Sequence, residues 1–286
     1  MNISNLLLNS FLPCLPGDVR KKIIRGRLPE FKTSLDDVIF KQVVRTEDYM
    51  SCFKLVYDVY VEAGFIKPSS LPYRIIEHHA DPQTMVFMGC LADGQSENRP
   101  IYTASMFADN ELGLPMDEGF EREVDSLRKD NRRVVEVGCL ASDPTYRKGN
   151  KNIPMIMNRF IYNHAIEVLH ADDLLITVHP KYLKIYEDIL LFEKIGELSE
   201  YHYVEDNPAI ALRLDLRKAS DRFKDVYGNM PIGKNLYHFF FGSDPTPDDL
   251  SLEQEKASGG IDDSGIDKKN LVINAYAKAL QAAMVS

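Results

Sequence analysis

The feature that most constrains this chain is one acid inside an apolar run. Glu136 stands in Val134-Val135-Glu136-Val137-Gly138-Cys139-Leu140-Ala141, and the basic turn Asp143-Pro144-Thr145-Tyr146-Arg147-Lys148-Gly149 follows at once. The run has the length and β-branched content of a buried strand. Side chains alternate along a strand, so Val135, Val137, Cys139 and Ala141 share one face, and Val134, Glu136, Gly138 and Leu140 share the other. Glu136 therefore falls mid-strand, where a carboxylate needs a partner or a task. Gly138 permits a bulge beside it, and a helix is expected directly after the turn.

Of the 286 residues 44% are hydrophobic, and helical or strand patterning is confined to about the first 240 positions, which suits one domain and a tail. The formal net charge is −9, but residues 244–267 hold eight acids against one base, Lys256, and so carry −7 of it. The nearly neutral body can still present local basic patches, whereas the balance argues against nucleic acid as a partner. Cys14, Cys52, Cys90 and Cys139 show no CxxC pair and no histidine at zinc spacing. That pattern predicts reduced thiols of a cytoplasmic protein, with no metal site. Residues 1–15 are mildly apolar, but Pro13 and Pro16 interrupt them and Arg20, Lys21, Lys22, Arg25 and Arg27 come after rather than before. This is the wrong order for a secretory leader. No run approaches the roughly 18 apolar residues of a spanning helix.

Residues 1–34 read as a basic N-terminal arm and 38–45 as a first strand. A helix is predicted over 49–65, with Phe53, Val56, Tyr57, Tyr60 and Val61 at helical spacing and Gly64 at its end. Strands at 84–91 and 101–107 are joined by a hairpin signature containing Asp93-Gly94. Gly113-Leu114-Pro115-Met116-Asp117 is a turn whose Asp117 opens a helix to about residue 129, with Phe120, Val124 and Leu127 on one face. After the Glu136 strand come a helix over 153–169 with Pro154 in its first turn, a strand at 174–178 ending at His179-Pro180, a helix over 181–190, and strands at 192–196 and 210–216. Fold class is α/β (α+β), a mixed, mainly antiparallel sheet flanked by helices within residues 35–242. Residues 243–270 form an acidic linker rich in Asp, Ser, Gly and Pro. A C-terminal helix in 271–286 keeps Asn274, Lys278 and Gln281 on one narrow stripe. Its apolar circumference fits docking on the body or a second subunit, or else a partner or peripheral contact with a membrane surface.

Several segments now stand in a telling order. They are Leu55-Val56-Tyr57-Asp58-Val59-Tyr60-Val61-Glu62-Ala63-Gly64-Phe65, the 113–117 turn with Phe120, Glu123 and Leu127-Arg128, the Glu136 strand, His179-Pro180-Lys181 with Tyr186, and Phe192-Glu193-Lys194-Ile195-Gly196-Glu197. Over about 38–216 this order resembles the GNAT acyltransferase superfamily, and within it the long-chain N-acyl amino acid synthases, relatives of the acyl-homoserine-lactone autoinducer synthases. The resemblance implies a sheet splayed between its fourth and fifth strands. There a phosphopantetheine arm lies and an amine attacks its thioester, with no tightly bound cofactor. Superfamily members that use coenzyme A have a Q/R-x-x-G-x-G/A loop whose backbone grips pyrophosphate. Here the loop reads Arg147-Lys148-Gly149-Asn150-Lys151-Asn152 and keeps one glycine. A donor on acyl carrier protein has no nucleotide to hold, and such carriers are acidic, so Arg147, Lys148 and Lys151, with Arg132, Arg133 and the cluster from Arg20 to Lys32, would meet the carrier. Long-chain acyl coenzyme A is the other donor, bound through the loop's charges and Gly149.

Glu136 is the expected general base for an amine that must lose a proton before attack, the alternative being an ion pair with an arginine in the sheet. Backbone N–H groups at Cys139 and Leu140, freed by the bulge, would polarise the thioester carbonyl. Tyr186 stands where the superfamily places the tyrosine that protonates the departing thiolate, and a packing tyrosine fits equally. Leu191-Phe192 replaces the superfamily's usual Gly-Phe. His179, at a strand end, would bind an acceptor carboxylate, act as a second base, or be a buried histidine. His78 and His79 read as surface residues. Arg45, Arg128 and Arg74 are the candidate clamps for an amino acid carboxylate. Phe87, Met88, Met106, Met155, Met157 and Phe160 line an acyl tunnel or fill a core. The functions in view are N-acyl transfer to an amino acid or similar small amine, autoinducer synthesis from S-adenosylmethionine, and non-catalytic binding of acylated carrier protein.

Overall fold

The computed structural model describes residues 16–91, 99–147 and 152–242. The predicted hairpin turn at Asp93-Gly94, Lys148, Gly149, Lys151, the linker and the C-terminal helix lie outside the described residues. The chain runs α1 (Gly17–Gly26), β1 (Val38–Gln42), α2 (Thr46–Glu62), β2 (Met85–Leu91), β3 (Pro100–Ala108), α3 (Asp117–Lys129), β4 (Val134–Ser142) and a single turn α4 (Pro144–Arg147). It continues through α5 (Asn152–Glu167), β5 (Asp173–Val178), α6 (Leu183–Asp188), β6 (Glu193–Lys194), β7 (Ser199–Tyr201), β8 (Asn207–Asp215), α7 (Leu216–Tyr227) and α8 (Leu236–Phe241).

The strands make one sheet in the order β1-β2-β3-β4-β5-β8-β6, with β7 on β8. All pairs are antiparallel except β4–β5, whose parallel register requires the crossover that α5 provides. That register runs from Val134 opposite Asp173 to Val137 opposite Ile176 and stops. Beyond it the two strands part as a wedge, the splay the resemblance implies.

Both faces of the sheet are covered. α5, α7 and α8 lay Ile156, Phe160, Phe223 and Phe240 against Phe87, Met106 and Val137. On the other face Phe120 and Val124 of α3 meet Phe107 and Leu175, while Cys52 and Phe53 of α2 meet Val86 and Met88. Central strands buried on two sides read as continuous apolar runs, which is why β2 and β3 show little alternation. Each large side chain so buried contributes about 1.5–3 kcal/mol.

Four local readings change. The helix expected over 181–190 divides into a 3₁₀ turn, Pro180–Tyr182, and the short α6. The N-terminal arm is partly packed on the body, since Leu28 is in the core and Phe31 lies 5.7 Å from Phe239. β7, α7 and α8 were not anticipated. His78 and His79, expected at the surface, are 5% and 2% exposed in a 3₁₀ turn. His79 is drawn inward by three partners: its Nδ1 accepts from Ile76 N–H at 3.0 Å, its Nε2 lies 3.0 Å from Ser105 Oγ, and its ring packs 4.7 Å from Phe53. No helix among the described residues is long and apolar enough to cross a membrane.

Candidate active site

A cavity of about 600 Å³ occupies the wedge, lined by residues 138–142 of β4, 176–178 of β5, and side chains from α2, α5, α6 and the β7–β8 connection. Glu136 is on its wall and only 2% exposed. Its Oε2 accepts from Met116 N–H at 2.7 Å and its Oε1 from Thr177 Oγ1 at 3.4 Å. Among the described residues no arginine pairs with it, so the ion-pair alternative finds no partner there. Burial pushes its pKa up to about 8, against the pull of the Met116 N–H and with a further push from Asp117.

The turn that presents Met116 is braced. Gly113 has φ +75, and a Cβ there would lie 2.6 Å from Asp117 Oδ2, so the position needs glycine. Asp117 accepts from Leu114 N–H at 2.7 Å and from Arg128. Arg128 spends its donors on Asp109, Asp117 and Asp125 at 2.6–3.0 Å. It has no free fork for a substrate carboxylate, which corrects its assignment as a clamp: it positions the turn that holds Glu136.

Beside Glu136 the β3–β4 register passes from Ser105 opposite Gly138 to Thr103 opposite Ala141, leaving Cys139 and Leu140 outside one-to-one pairing. This is the expected bulge, but its left-handed residue is Cys139 (φ 49), not Gly138. Gly138 instead leaves room for Phe107, whose ring would lie 3.3 Å from a Cβ. The Cys139 thiol is pushed up to about 11 by burial, so it is neutral near pH 7.

Of the three arginines considered for an acceptor carboxylate, only Arg74 lines the cavity. One of its terminal nitrogens donates to the Tyr203 carbonyl, its Nε is buried without a partner, and it makes no ion pair among the described residues. Arg45 is on the surface with Glu47 at 3.9 Å and is removed from the cavity wall. Phe87 and Met106 are wholly buried in the core on the α5 face and do not line the cavity. Strand alternation sends Met106 to that face and its neighbour Phe107 to the site. Of the tunnel candidates Met155 is on the wall.

Tyr186 lines the cavity, and burial lifts its hydroxyl to about 12. Tyr60 and Tyr102 share the wall and are also shifted up by burial. Leu191, in the place of the usual glycine, keeps the left-handed turn at φ 60 with its side chain 4% exposed. His179 lines the mouth, where its Nδ1 accepts from Lys181 N–H at 3.1 Å. Burial and then the Lys181 charge lower its pKa. A neutral ring with Nδ1 so engaged carries its proton on Nε2 and offers a donor rather than a base. Leu140 is on the wall beside Cys139. Arg147 ends α4, its side chain outside the described residues.

Tyr201, Tyr203 and Thr177 were missed. Tyr201 is near Glu136 and Thr177, and burial followed by the Glu136 charge holds its hydroxyl well above the usual range. Thr177 had a signal, the lone hydroxyl in a strand that otherwise reads Leu-Leu-Ile-Val. Tyr201 and Tyr203 belong to a three-residue strand and a 3₁₀ turn, too short for any periodicity.

A wedge in a mixed sheet, a bulge at its lip and beneath it a carboxylate with no ion-pair partner among the described residues define a GNAT-fold N-acyltransferase. The N-acyl amino acid synthase FeeM family model matches residues 51–215, and the chain belongs to that family. It is an enzyme, the catalytic one of the two classes considered from sequence. Among solved structures it is similar to FeeM, an N-acyl amino acid synthase from uncultured soil microbes, at 23% identity and TM-score 0.55, covering 64% of this chain and 93% of that one. A spermidine N-acetyltransferase, SpeG from Vibrio cholerae, aligns at 11% identity and TM-score 0.43 over 66% of this chain and 99% of that one. The NatC complex bound to Gag peptide and CoA aligns at 14% identity and TM-score 0.36 over 63% and 98%. No curated protein is significantly similar in sequence.

Proposed function

We propose that this N-acyltransferase moves a long-chain fatty acyl group from the phosphopantetheine thioester of acyl carrier protein to the amine of an amino acid. The observation that carries the reading is Glu136, buried on the cavity wall without a counter-ion among the described residues and poised at a pKa of about 8. Its carboxylate form takes a proton from the incoming ammonium, directly or through water. The freed amine attacks the thioester carbon, a C–N bond forms and the C–S bond breaks. The Cys139 and Leu140 N–H groups at the bulge stabilise the oxyanion, a contribution usually worth about 3–4 kcal/mol. Tyr186 gives a proton to the thiolate and is reprotonated by the second proton that the attacking nitrogen sheds in becoming an amide, while Glu136 releases its proton to solvent. Because such a thiol has a pKa near ~8.5, protonating the thiolate asks little of an acid.

Arg74 is the acceptor's anchor: its guanidinium on the cavity wall, with no carboxylate partner among the described residues, suits a carboxylate, with His179 Nε2–H as a second donor. For the donor, the basic helix α1 supports a carrier protein. α1 packs on α6, with Arg25 Nε donating to the Asp188 carbonyl at 2.8 Å and Lys21 3.7 Å from its carboxylate. Ile185 and Tyr186 of α6 line the cavity and Ile185 is half exposed, so the exposed Lys22 and Arg27 lie on the side from which an acidic carrier would deliver its arm.

The test is mass spectrometry of the full chain with the common amino acids and either palmitoyl carrier protein or palmitoyl coenzyme A. N-acyl amino acid from carrier protein is the expected product and names the acceptor. Product from coenzyme A alone overturns the carrier reading, and none from either overturns the long-chain reading.

A further inference from the structure

A second, smaller chamber of about 40 Å³ adjoins the wedge cavity behind a wall common to both, made of Leu140, Asn158, Ile176, Tyr186 and Leu190. Past that wall the lining turns apolar, with Ile161 of α5, Leu174 of β5 and Leu214 of β8 on its sides. The far end is closed by Phe223 of α7 and Phe240 of α8, whose rings meet edge to face at 5.3 Å, with Tyr162 at 5.9 Å from Phe240. The family match ends at residue 215, so both aromatic stops come from a segment outside it.

Both chambers are mostly apolar, but among the described residues the charged side chains line the larger one and none lines the smaller. Glu136, Arg74 and Tyr203 gather in the larger cavity, whereas the smaller one lies against the α5 face of the sheet. Leu140, a bulge residue, belongs to both linings. An acyl group whose carbonyl is held at the bulge must take its tail out of water, and the adjoining dead end, which shares Leu140 with the bulge, extends the apolar space next to that carbonyl. Its free volume admits about one methyl-sized group, a water's share of liquid being ~30 Å³. It thus suits the end of a chain whose remainder fills the larger cavity.

We infer that the α7–α8 segment is an acyl-chain ruler: the terminal carbons of the donor pass the Leu140–Tyr186–Leu190 wall and stop against Phe223 and Phe240. This rests on the acyltransferase reading above and adds to it which residues set chain length. The experiment is a competition between two saturated acyl donors on the same carrier, differing by two methylenes, with the product ratio read by mass spectrometry. A product ratio is independent of the fraction of enzyme folded. Phe240→Leu, which deepens the chamber, shifts the ratio toward the longer chain by on the order of tenfold, at about fourfold per methylene. Ile161→Phe, which fills it, shifts the ratio toward the shorter chain. Unchanged ratios in both variants, with product still formed, overturn the ruler while leaving the transferase. If the unaltered enzyme makes no N-acyl product from either donor, the acyltransferase reading falls and takes the ruler with it.

Discussion

At one end of the β4–β5 seam Asp173, 0% exposed, lies between two guanidiniums; at the other Glu136, 2% exposed, has none among the described residues. Arg132 bridges Asp173 and Asp215 at 2.8 Å, Arg213 reaches Asp173 at 2.7 Å, and Arg217 reaches Asp172 at 2.8 Å. The Arg217 hydrogen bond holds Asp172 below the usual carboxylate range. Glu136 receives a backbone N–H and a distant hydroxyl, and burial carries it up to about 8. The same strand pair is therefore closed with paired charges where the sheet is continuous and open around an unpaired acid where it splays. A buried carboxylate without a counter-ion exchanges protons near neutral pH, which is the ground on which we propose the splayed end as the site of the chemistry.

The sharpest break is Glu136→Gln. Turnover falls by about 10²–10⁴, the usual worth of a general base, while the fold persists. Stability tests the same contrast from the other side. Glu136 titrates near 8 when folded and near ~4.3 when unfolded, so between those values the folded state holds more protons and wild-type stability falls as pH rises. The variant escapes that loss, and its advantage in Tm grows from pH 5 to pH 8. A constant difference would mean that Glu136 is paired after all.

Asp173→Ala reverses the pattern. Removing one member of a buried ion network costs about 3–5 kcal/mol, seen as an earlier urea midpoint, with acceptor KM unchanged in the protein that remains folded. Arg74→Gln raises KM for an amino acid acceptor by about 10–100-fold, since hydrogen bonds to charge are worth ~1.5–3 kcal/mol. It leaves an amine without a carboxylate unaffected, and equal losses for both acceptors would move the anchor elsewhere. Tyr186→Phe, the mildest, slows turnover less than about tenfold because the thiol leaves easily.

Most of the sheet order was legible because most strands are largely apolar runs between turn signals, and Glu136 stood out as the one charge within the apolar run 134–141. What the chain did not reveal depends on contacts between distant segments. Arg128 looks like a clamp until Asp109, Asp117 and Asp125 are seen to occupy it. Arg74 is indistinguishable from any surface arginine before Tyr203, 129 residues away, folds over it. His78-His79 reads as polar, yet Phe53 and Phe107 bury it. Phe223 and Phe240 meet only through two helices that follow the last predicted strand.

The most direct measurement is the pH dependence of kcat/KM for N-acyl product formation, in wild type and Glu136→Gln side by side. The account predicts a wild-type rate that climbs with pH and levels above about 8, as Glu136 ionises, and a slow variant in which that break is gone. The same break in both proteins, or a variant as fast as wild type, would contradict Glu136 as the base.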